Sequence, residues 1–243
     1  LWPKLKLRQK SRKNLMKKTL SSLFLILLSP FVSADLFEAW DFKAIDGDVQ
    51  NNVAMMESAR EIHEKMGAHV EYWLHDVNGE NVVSYVIRFK DMDDWAKFKD
   101  AQLASEAWSN WVAKQWPKSQ PYLVTSYAMS NLFNPTQGTD VTDGLNVSYM
   151  SAWQASDNSN NMALYASIEK STAISEKYGL TTQVYLNGPS GIFYIFSFGE
   201  NFQDISKKTQ ARNNSAEWQQ YWTDAQINRV GEFVRQGWIT KIR

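Results

Sequence analysis

The sequence predicts an α+β fold made of two tandem copies of one β-α-β-β-α-β unit. A helix end followed by a β-hairpin occurs twice, from Glu64 to Phe89 and from Glu176 to Phe198. In both copies the helix ends in a Glu-Lys-x-Gly sequence, and Asn-Gly follows the first strand. Gly67 and Gly179 suit the left-handed residue that closes a helix, and Asn-Gly between alternating strands is a strong hairpin signal.

The remaining elements follow the same order in each copy. The first copy is expected to contain a strand over 35–42, a helix that Asn51 or Asn52 caps and that runs to Met66, a helix over 91–115 and a strand over 122–129. Pro117 and Pro121 are expected to stop that second helix. The second copy is expected to have a strand over 147–154, a helix over 161–178, a helix over 202–228 and a strand over 233–242. The internal repeat thus predicts both units.

The first 34 residues have the pattern of a secretory signal peptide with an upstream extension. Lys17 and Lys18 precede a 13-residue apolar run over 20–32, and a small-x-small cleavage site ends at Ala34. This run is shorter than the roughly 20 residues that span a bilayer. We therefore expect cleavage after Ala34, a periplasmic or secreted protein, and no membrane attachment after cleavage.

The rest of the chain divides into a first unit (35–133), a linker (134–145) and a second unit (146–243), because residues 134–144 have the Pro and Gly content of a connection. Eight of the 26 Lys and Arg residues lie before residue 35, so the remainder carries 18 basic and 26 acidic residues, a net charge of −8. That charge excludes nucleic acid as an expected partner. The chain contains no cysteine, which excludes disulfides and thiolate chemistry.

The Asn78-Gly79 turn predicts the register of the first hairpin, since a two-residue turn pairs Val77 with Glu80 and sets every pair behind it. One face is then apolar and expected to carry the helices: Val70, Tyr72, Leu74, Val83, Tyr85 and Ile87. The opposite face holds His69, Glu71, Trp73, His75, Ser84 and Arg88. In the second hairpin the equivalent face is expected to hold Thr181, Gln183, Tyr185, Phe193, Ile195 and Ser197.

Each copy also carries a tryptophan-bearing segment before its last strand, Ser105-Glu106-Ala107-Trp108 through Trp111 and Ser215-Ala216-Glu217-Trp218 through Trp222. With the repeated strand order, these segments make the chain resemble the tandem dimeric α/β-barrel superfamily. That superfamily includes antibiotic-biosynthesis-type monooxygenases, NIPSNAP-like proteins and haem-binding chlorite dismutase relatives. The resemblance implies two ferredoxin-like units that close into a pseudo-dimeric α/β barrel, with the polar hairpin faces meeting inside.

A cavity between the two sheets is the expected site. His69 is the candidate base, Glu71 its orienting carboxylate, and Arg88 the group that holds a carboxylate or oxyanion. The candidate ligand-binding residues are Trp40, Trp73, Ser84, Trp153, Gln183 and Tyr185. The alternative interpretation is a structural Glu71–Arg88 cross-strand pair beside a solvated His69.

No resident cofactor or metal is expected. His75 lies some 20 Å along its strand from His69, at about 3.3 Å per residue, so the two cannot share one three-ligand site with Glu71. His63 is expected at the surface or at the boundary of the core. The haem-binding relatives use a histidine of the second unit, and this chain has no histidine after His75. This departure argues against haem.

Three functions remain open at this point. The leading hypothesis is an exported protein that binds a small, partly apolar ligand between its two sheets, as a monomer or homodimer. The alternatives are a cofactor-independent monooxygenase or isomerase-like enzyme that uses His69, Glu71 and Arg88, and a purely structural or interaction protein.

Overall fold

Strands and helices follow one another in the order that the repeat predicts. The computed structural model describes residues 36–45, 47–77, 80–132, 140–156, 161–187 and 190–242. The predicted leader, the whole Asn78-Gly79 turn, Gly188 of the second Asn-Gly turn, and half of the predicted linker lie outside these residues. The strands are β1 (Leu36–Lys43), β2 (His69–Val77), β3 (Glu80–Phe89), β4 (Leu123–Asn131), β5 (Val147–Ala155), β6 (Thr181–Asn187), β7 (Ile192–Gly199) and β8 (Gly231–Lys241). The helices are α1 (Val49–Lys65), α2 (Met92–Ala104), α3 (Glu106–Ser119), α4 (Asn161–Lys177), α5 (Phe202–Asn213) and α6 (Ala216–Asn228).

The eight strands form one closed antiparallel barrel in the order β1-β3-β2-β8-β5-β7-β6-β4. The first half (β4-β1-β3-β2) and the second half (β8-β5-β7-β6) therefore have the same strand order. Two short ladders join them: three residue pairs between β2 and β8, and two between β4 and β6. The predicted α+β class and pseudo-dimeric barrel are confirmed.

The register of the first hairpin is as predicted. Val77 pairs with Glu80, Tyr72 with Tyr85, and His69 with Arg88. The apolar face of β2 and β3 packs beneath the helices in a core that includes Tyr72, Tyr85 and Ile87. The polar face points into the interior of the barrel, which we call the lumen.

The second hairpin differs from the prediction. We expected Phe193, Ile195 and Ser197 to share the inner face with Gln183 and Tyr185, which requires an odd number of residues in the loop. Four residues, 188–191, separate the paired ends of β6 and β7, so Tyr185 pairs with Tyr194. The three residues expected inside therefore lie on the helix-facing side, and the lumen receives Tyr194, Phe196 and Phe198. A shift of one residue along a strand moves every side chain to the opposite face.

The tryptophan-bearing segments are helix starts. We expected one continuous helix in each half, but Ser105 and Ser215 interrupt it, and each side chain accepts a hydrogen bond from the backbone N–H of the tryptophan three residues later, at 3.1 Å. A serine in this position satisfies an N–H that has no partner within the helix. Pro117 lies inside α3, which continues to Ser119.

Helix α1 begins one turn earlier than expected. Asp48 caps it by accepting a hydrogen bond from the N–H of Gln50 at 2.8 Å. Asn52, one of the two expected caps, is fully buried and instead binds the backbone of Lys43 and Ile45. None of the helices in the described part of the chain is both long and apolar enough to cross a membrane.

Candidate functional site

A buried carboxylate lies at the centre of the first half's lumen face. Glu71 on β2 is 1 % exposed, and the Nε of Arg88 on β3 donates to its Oε2 at 2.8 Å. Trp73 donates its indole N–H to the same oxygen at 3.0 Å. The other oxygen accepts from the hydroxyl of Thr142 and from Lys241 Nζ, the latter at 2.6 Å. Two cations and two neutral donors thus hold one carboxylate in place.

These contacts decide the charge of Glu71. Burial by itself raises the pKa of a carboxyl group, because the charged form loses its hydration. Here the charge of Arg88, the hydrogen bond of His69 and the charge of Lys241 outweigh burial, and they hold the pKa of Glu71 well below its usual range. Glu71 is therefore ionised at neutral pH, so it has no proton to donate there, and its lowered pKa makes it a weak base.

Arg88 carries this network across the lumen to the second half. Its Nη1 donates to Gln183 Oε1 at 3.3 Å and to the hydroxyl oxygen of Tyr185 at 3.1 Å. Tyr185 in turn donates to Gln183 Oε1 at 2.6 Å. Five of the residues that the sequence predicted for the site, from both halves, therefore lie in one hydrogen-bond network, although their strands are about 100 residues apart in sequence.

His69 lies at the edge of the same network. Its Nε2 is 3.5 Å from Glu71 Oε1 and 3.9 Å from Asp143 Oδ1, and its side chain is 30 % exposed. These three residues have the spacing of a potential metal-ion group. The ammonium of Lys241 already contacts the same Glu71 oxygen, so a second cation at this position would be repelled.

A second polar cluster lies further along the lumen, and it contains Ser84, which the sequence predicted for the site, together with Asp41, which it did not. Ser84 donates its hydroxyl to Asp41 Oδ1 at 2.6 Å, and His75 Nε2 is 2.8 Å from the same hydroxyl oxygen. Since the serine hydrogen points at Asp41, His75 is the donor to Ser84. Ser84 lies between the other two side chains, so this is a relay and not the base-activated nucleophile of a hydrolase, in which histidine takes the middle place. Burial raises the pKa of Asp41.

The open space in the lumen is small. The cavity has a volume of about 50 Å³ and is lined by both polar and aromatic side chains, among them His75, Arg88, Tyr127, Ser148 and Tyr185. A water molecule occupies about 30 Å³ in the liquid. The cavity therefore holds one or two water-sized groups. It is smaller than the ligand that the sequence predicted between the two sheets.

Trp40 and Trp153 do not line the lumen, contrary to expectation. Trp40 pairs with Tyr85 across β1 and β3, and Tyr85 faces the helices, so Trp40 packs in the outer core of the first half. Trp153 lies against Trp222 and Phe233 on the outer side of the second half. Alternation along β1 separates the two faces of the strand but does not show which face is inside the barrel. The pairing with the neighbouring strand decides this, so the sequence of β1 alone could not assign Trp40 to a face.

Trp153 instead belongs to a groove between the sheet and helices α4 and α6, which we call the second-half groove. Its volume is about 720 Å³. Its walls are aromatic and hydroxyl-bearing: Tyr149, Trp153, Ser167, Ser171, Trp218, Tyr221, Trp222 and Phe233. Trp222 and Phe233 are 37 % and 50 % exposed. Apolar walls with a few polar groups are typical of small-molecule sites of this size.

Arg212 supplies positive charge to this groove. Its guanidinium lies over the ring of Trp218 at 3.9 Å from the ring centre, and its Nη1 donates to the hydroxyl of Ser175 at 3.1 Å. Burial lowers the pKa of Arg212 to about 10, so the group is still charged at neutral pH. Arg229 lines the groove as well, and no carboxylate of the residues that the structure describes does. The second-half groove thus presents positive charge, although residues 35–243 together carry a net charge of −8.

The equivalent space in the first half is largely filled. A volume of about 210 Å³ remains between α1, α3 and the sheet, and the stacked rings of Trp108 and Trp111 occupy its wall. His63 lies there, 2 % exposed, with its Nδ1 2.8 Å from the hydroxyl of Tyr85 and with Gln102 donating to its Nε2 at 3.0 Å. The expectation of a surface or boundary histidine was wrong, because aromatic rings of α2 and α3 cover this side of α1.

The sequence missed Asp41, Tyr127, Thr142 and Lys241 as lumen residues. Thr142 lies between the halves and Lys241 near the chain end, and only the β2–β8 ladder brings Lys241 beside Trp73. No local pattern carries that information. Tyr85 had already been assigned to the helix-facing side. If the β1–β3 register had been known as well, Asp41 could have been assigned to the lumen.

Neither the family models nor the curated proteins compared with the chain gave a match. Among solved structures, it is similar to a candidate monooxygenase from Fusobacterium nucleatum, with a TM-score of 0.55 and 10% identity over 86% of this chain and 93% of that one. A candidate monooxygenase from Lactobacillus acidophilus gives a TM-score of 0.53 at 10% identity, over 86% and 94%. A candidate chlorite dismutase gives 0.52 at 9% identity, over 86% and 95%. The protein therefore has a ferredoxin-like, dimeric α/β-barrel fold, with both halves in one chain.

The residues of this fold's second half do not fit a histidine-ligated haem. The second-half groove has the space for a large planar ligand, but its lining contains no histidine, cysteine or methionine. The three histidines of the chain all belong to the first half.

Proposed function

We propose that the protein binds a small, partly apolar molecule that carries an anionic group, and that the second-half groove is the binding site. The observation that supports this most strongly is a groove of about 720 Å³ whose lining contains two arginines, several aromatic rings and no carboxylate. Aromatic walls favour a planar apolar body, and a partly desolvated guanidinium favours a carboxylate, sulfonate or phosphate. The lumen between the sheets is too small for such a ligand.

Catalysis by His69, Glu71 and Arg88 has less support. Glu71 is saturated with donors, and Arg88 is committed to Glu71, Gln183 and Tyr185. Such saturation is typical of a buried ion network that fixes the structure. The similar candidate monooxygenases share the fold with this chain at 10% identity, and fold alone does not transfer an activity.

We also propose export, on the basis of the leader pattern that ends at Ala34. The intact mass of the protein recovered from the periplasm or medium tests this proposal. A mass that lacks residues 1–34 supports export with cleavage after Ala34, and a full-length protein retained in the cytoplasm contradicts it.

The ligand proposal can be tested with two fluorescent probes that differ by one charge. 1-Anilinonaphthalene-8-sulfonate carries a sulfonate, and N-phenyl-1-naphthylamine has the same aromatic body without it. Arg212→Gln should weaken binding of the sulfonate probe about tenfold, the loss of one charge-assisted hydrogen bond, and should change the neutral probe little. Trp222→Ala should weaken both probes, because both lose the same aromatic wall.

Arg60→Gln is the matched control, since Arg60 lies on α1 in the first half and contacts Glu57 and Glu64 away from the groove. It should leave both affinities unchanged. Circular dichroism of each variant checks that the fold persists. Equal affinities for the two probes in the wild type, or sulfonate binding that survives Arg212→Gln and Trp222→Ala alike, would exclude the second-half groove as an anion-binding site.

A further inference from the structure

Hydroxyl groups replace apolar side chains on the sheet-facing side of helix α4. Ser171 and Ser175 are 7 % and 3 % exposed, Ser167 lies one turn before them, and all three line the second-half groove. When α1 and α4 are aligned at the glycine that follows each helix, these serines take the places of residues that fill the first-half space: Met55, Ala59 and His63. The core-facing stripe of a helix is normally apolar. Hydroxyl groups in these places therefore indicate a polar partner in the groove.

The hydrogen bonds of α4 make Ser171 an acceptor on the groove side. Its Oγ is 2.8 Å from the backbone oxygen of Ile168, and Ser175 Oγ is 2.8 Å from that of Ser171. A carbonyl oxygen only accepts, so each hydroxyl hydrogen is used within the helix. Ser175 Oγ also accepts from Arg212, whereas no donor is bonded to Ser171 Oγ in the described part of the chain. A ligand matches this wall with an N–H or O–H group.

The opposite wall of the groove presents a donor. Ser151 on β5 lines the groove, and its Oγ accepts a hydrogen bond from the indole N–H of Trp153 at 3.2 Å. An indole nitrogen only donates, so the hydroxyl hydrogen of Ser151 is available to a ligand. A group between the two walls must therefore offer a donor towards α4 and an acceptor towards β5. A trans secondary amide does so, because its N–H and C=O point in opposite directions, whereas a single hydroxyl would have to touch both walls with one atom.

Arg212 retains N–H groups for a carboxylate. Its Nε and Nη2 donate to Asn213 Oδ1 at 3.1 and 3.0 Å, and its Nη1 donates to Ser175 Oγ at 3.1 Å. A guanidinium has five N–H groups, so one on each terminal nitrogen has no partner among the residues that the structure describes. The planar fork of a guanidinium matches the two oxygens of a carboxylate.

Charged, polar and apolar parts follow one another along the groove. On β5 the groove residues are Tyr149, Ser151 and Trp153, spaced about 7 Å apart. The charge of Arg212 acts on Tyr149, so the cation lies at that end, and the aromatic rings that contact Trp153 lie at the other end. The same order holds on α4, since Arg212 contacts its last turn and the acceptor lies one turn earlier. A matching ligand thus carries a carboxylate, then an amide, then an apolar group.

We propose that the ligand of the second-half groove is an N-acyl amino acid with an apolar acyl group. Because it names the ligand class of the same site, this proposal rests on the function proposed above. The carboxylate binds Arg212, the amide N–H donates to Ser171 Oγ, and the amide C=O accepts from Ser151 Oγ. The acyl group packs against Trp153 and Trp222. A ligand that displaces water from Ser171 without supplying a donor loses a hydrogen bond, so the site discriminates against analogues that lack the N–H.

Three naphthalene ligands test this proposal by isothermal titration calorimetry. N-(2-naphthoyl)glycine has all three groups. In 2-naphthoyloxyacetate an ester oxygen replaces the N–H, and the carboxylate is retained. The methyl ester of N-(2-naphthoyl)glycine retains the amide and lacks the charge. In the wild type we expect N-(2-naphthoyl)glycine to bind about tenfold more tightly than either analogue, since each analogue lacks one hydrogen-bonding interaction.

The variants separate the contributions of the two walls and the cation. Ser171→Ala should give N-(2-naphthoyl)glycine and 2-naphthoyloxyacetate equal affinities, because it removes the acceptor for the N–H, and alanine is well tolerated within a helix. Arg212→Gln should weaken both about tenfold and leave their ratio unchanged. Ser109→Ala is the matched control, since Ser109 on α3 also donates its hydroxyl to a backbone oxygen one turn earlier, at 3.0 Å, but lies in the first half. It should leave all three affinities unchanged.

The outcomes distinguish this proposal from the one on which it rests. Equal affinities for the amide and 2-naphthoyloxyacetate in the wild type, or a preference for the amide that survives Ser171→Ala, would overturn the amide proposal and leave the anion site in place. Failure of all three ligands to bind, while the sulfonate probe still binds, would overturn it in the same way. If N-(2-naphthoyl)glycine and its methyl ester bind equally well, the function proposed above fails, because the groove then does not recognise the charge.

Discussion

The two halves of the barrel share a strand order but use their surfaces in opposite ways. The first half places an ionised network on its lumen face and fills the space under its helices with tryptophan, which leaves about 210 Å³. The second half has a lumen face of Gln183 and aromatic residues without ionised groups from β6 or β7, and it leaves about 720 Å³ under its helices. The buried ion pair inside the barrel belongs to the first half, with Lys241 of β8 added to it from the second half, and ligand-sized space lies outside the barrel in the second half.

This difference shows how a duplicated fold can divide its tasks. A buried carboxylate such as Glu71 needs several donors in fixed positions, and the second half supplies one of them, Lys241. Gln183 and Tyr185 of the same half accept hydrogen bonds from Arg88, which holds that donor in place. A groove instead needs side chains that leave the space open. Because each half meets one of these requirements, the fold is shared while the proposed chemistry differs between the halves.

The largest expected effect is on the ionised lumen. Glu71→Gln leaves Arg88 and Lys241 in the lumen without their carboxylate, and breaking a buried ion pair in this way costs about 3–5 kcal/mol of unfolding free energy. Urea unfolding followed by circular dichroism measures this cost.

The matched change in the second half is Gln183→Met. It removes a neutral acceptor from Arg88 and Tyr185, which costs about 1–3 kcal/mol. If the two variants lose the same free energy of unfolding, the ionised lumen face contributes no more to stability than the neutral one.

A second expected effect concerns acid and the packed helix layer of the first half. Burial and the nearby charge of Lys99 lower the pKa of His63 from 6.5 to about 4 in the folded protein. The unfolded chain then binds a proton more readily than the folded one, so stability falls as the pH drops from about 6.5 to about 4. The total loss is about 3 kcal/mol, at about 1.4 kcal/mol for each unit of pKa difference.

Urea unfolding at a series of pH values measures this slope, and His63→Gln should abolish it. His69→Gln should leave the slope in place, since His69 is partly exposed at the mouth of the lumen. The stability that Glu71 contributes is lost only below about pH 4.5, where the unfolded chain takes up a proton that the folded protein, with its lowered pKa at Glu71, does not. A slope between pH 5 and 7 that persists in His63→Gln would show that another group is responsible.

Much of the fold followed from short-range patterns in the sequence. The Asn78-Gly79 turn predicted all the pairs of the first hairpin, and with them the inward direction of Glu71, Trp73 and Arg88. Alternation along two strands joined by a turn of defined length is a local signal, and it needs no knowledge of the other half. The second hairpin, whose loop length was not evident, was assigned to the wrong faces.

The long-range parts of the candidate site could not be predicted in this way. Lys241 reaches Glu71 across 170 positions of sequence, through a ladder of three residue pairs. The width of the second-half groove depends on how far α4 and α6 stand from the sheet, and periodicity in a helix predicts which face is buried but not that distance.

A smaller effect should separate the two helix layers. Ala59 lines the first-half space and Ala225 lines the second-half groove. Ala59→Leu should cost about 1–3 kcal/mol, the usual penalty for overpacking a filled core, whereas Ala225→Leu should change stability by less than about 0.5 kcal/mol. Thermal unfolding compares them, and an equal penalty at both positions would mean that the groove closes in solution.

The smallest effect tests what the halves have kept in common. Ser105→Ala and Ser215→Ala each remove the hydroxyl that accepts a hydrogen bond from the N–H of Trp108 or Trp218, and a lost cap of this kind costs about 1 kcal/mol. We expect equal losses in urea unfolding, because both serines begin a helix in the same way. Ser105→Asp and Ser215→Asp serve as controls, since aspartate also caps a helix and should restore stability. A loss confined to one half would show that the caps, like the lumen and the grooves, have diverged in their contribution to stability.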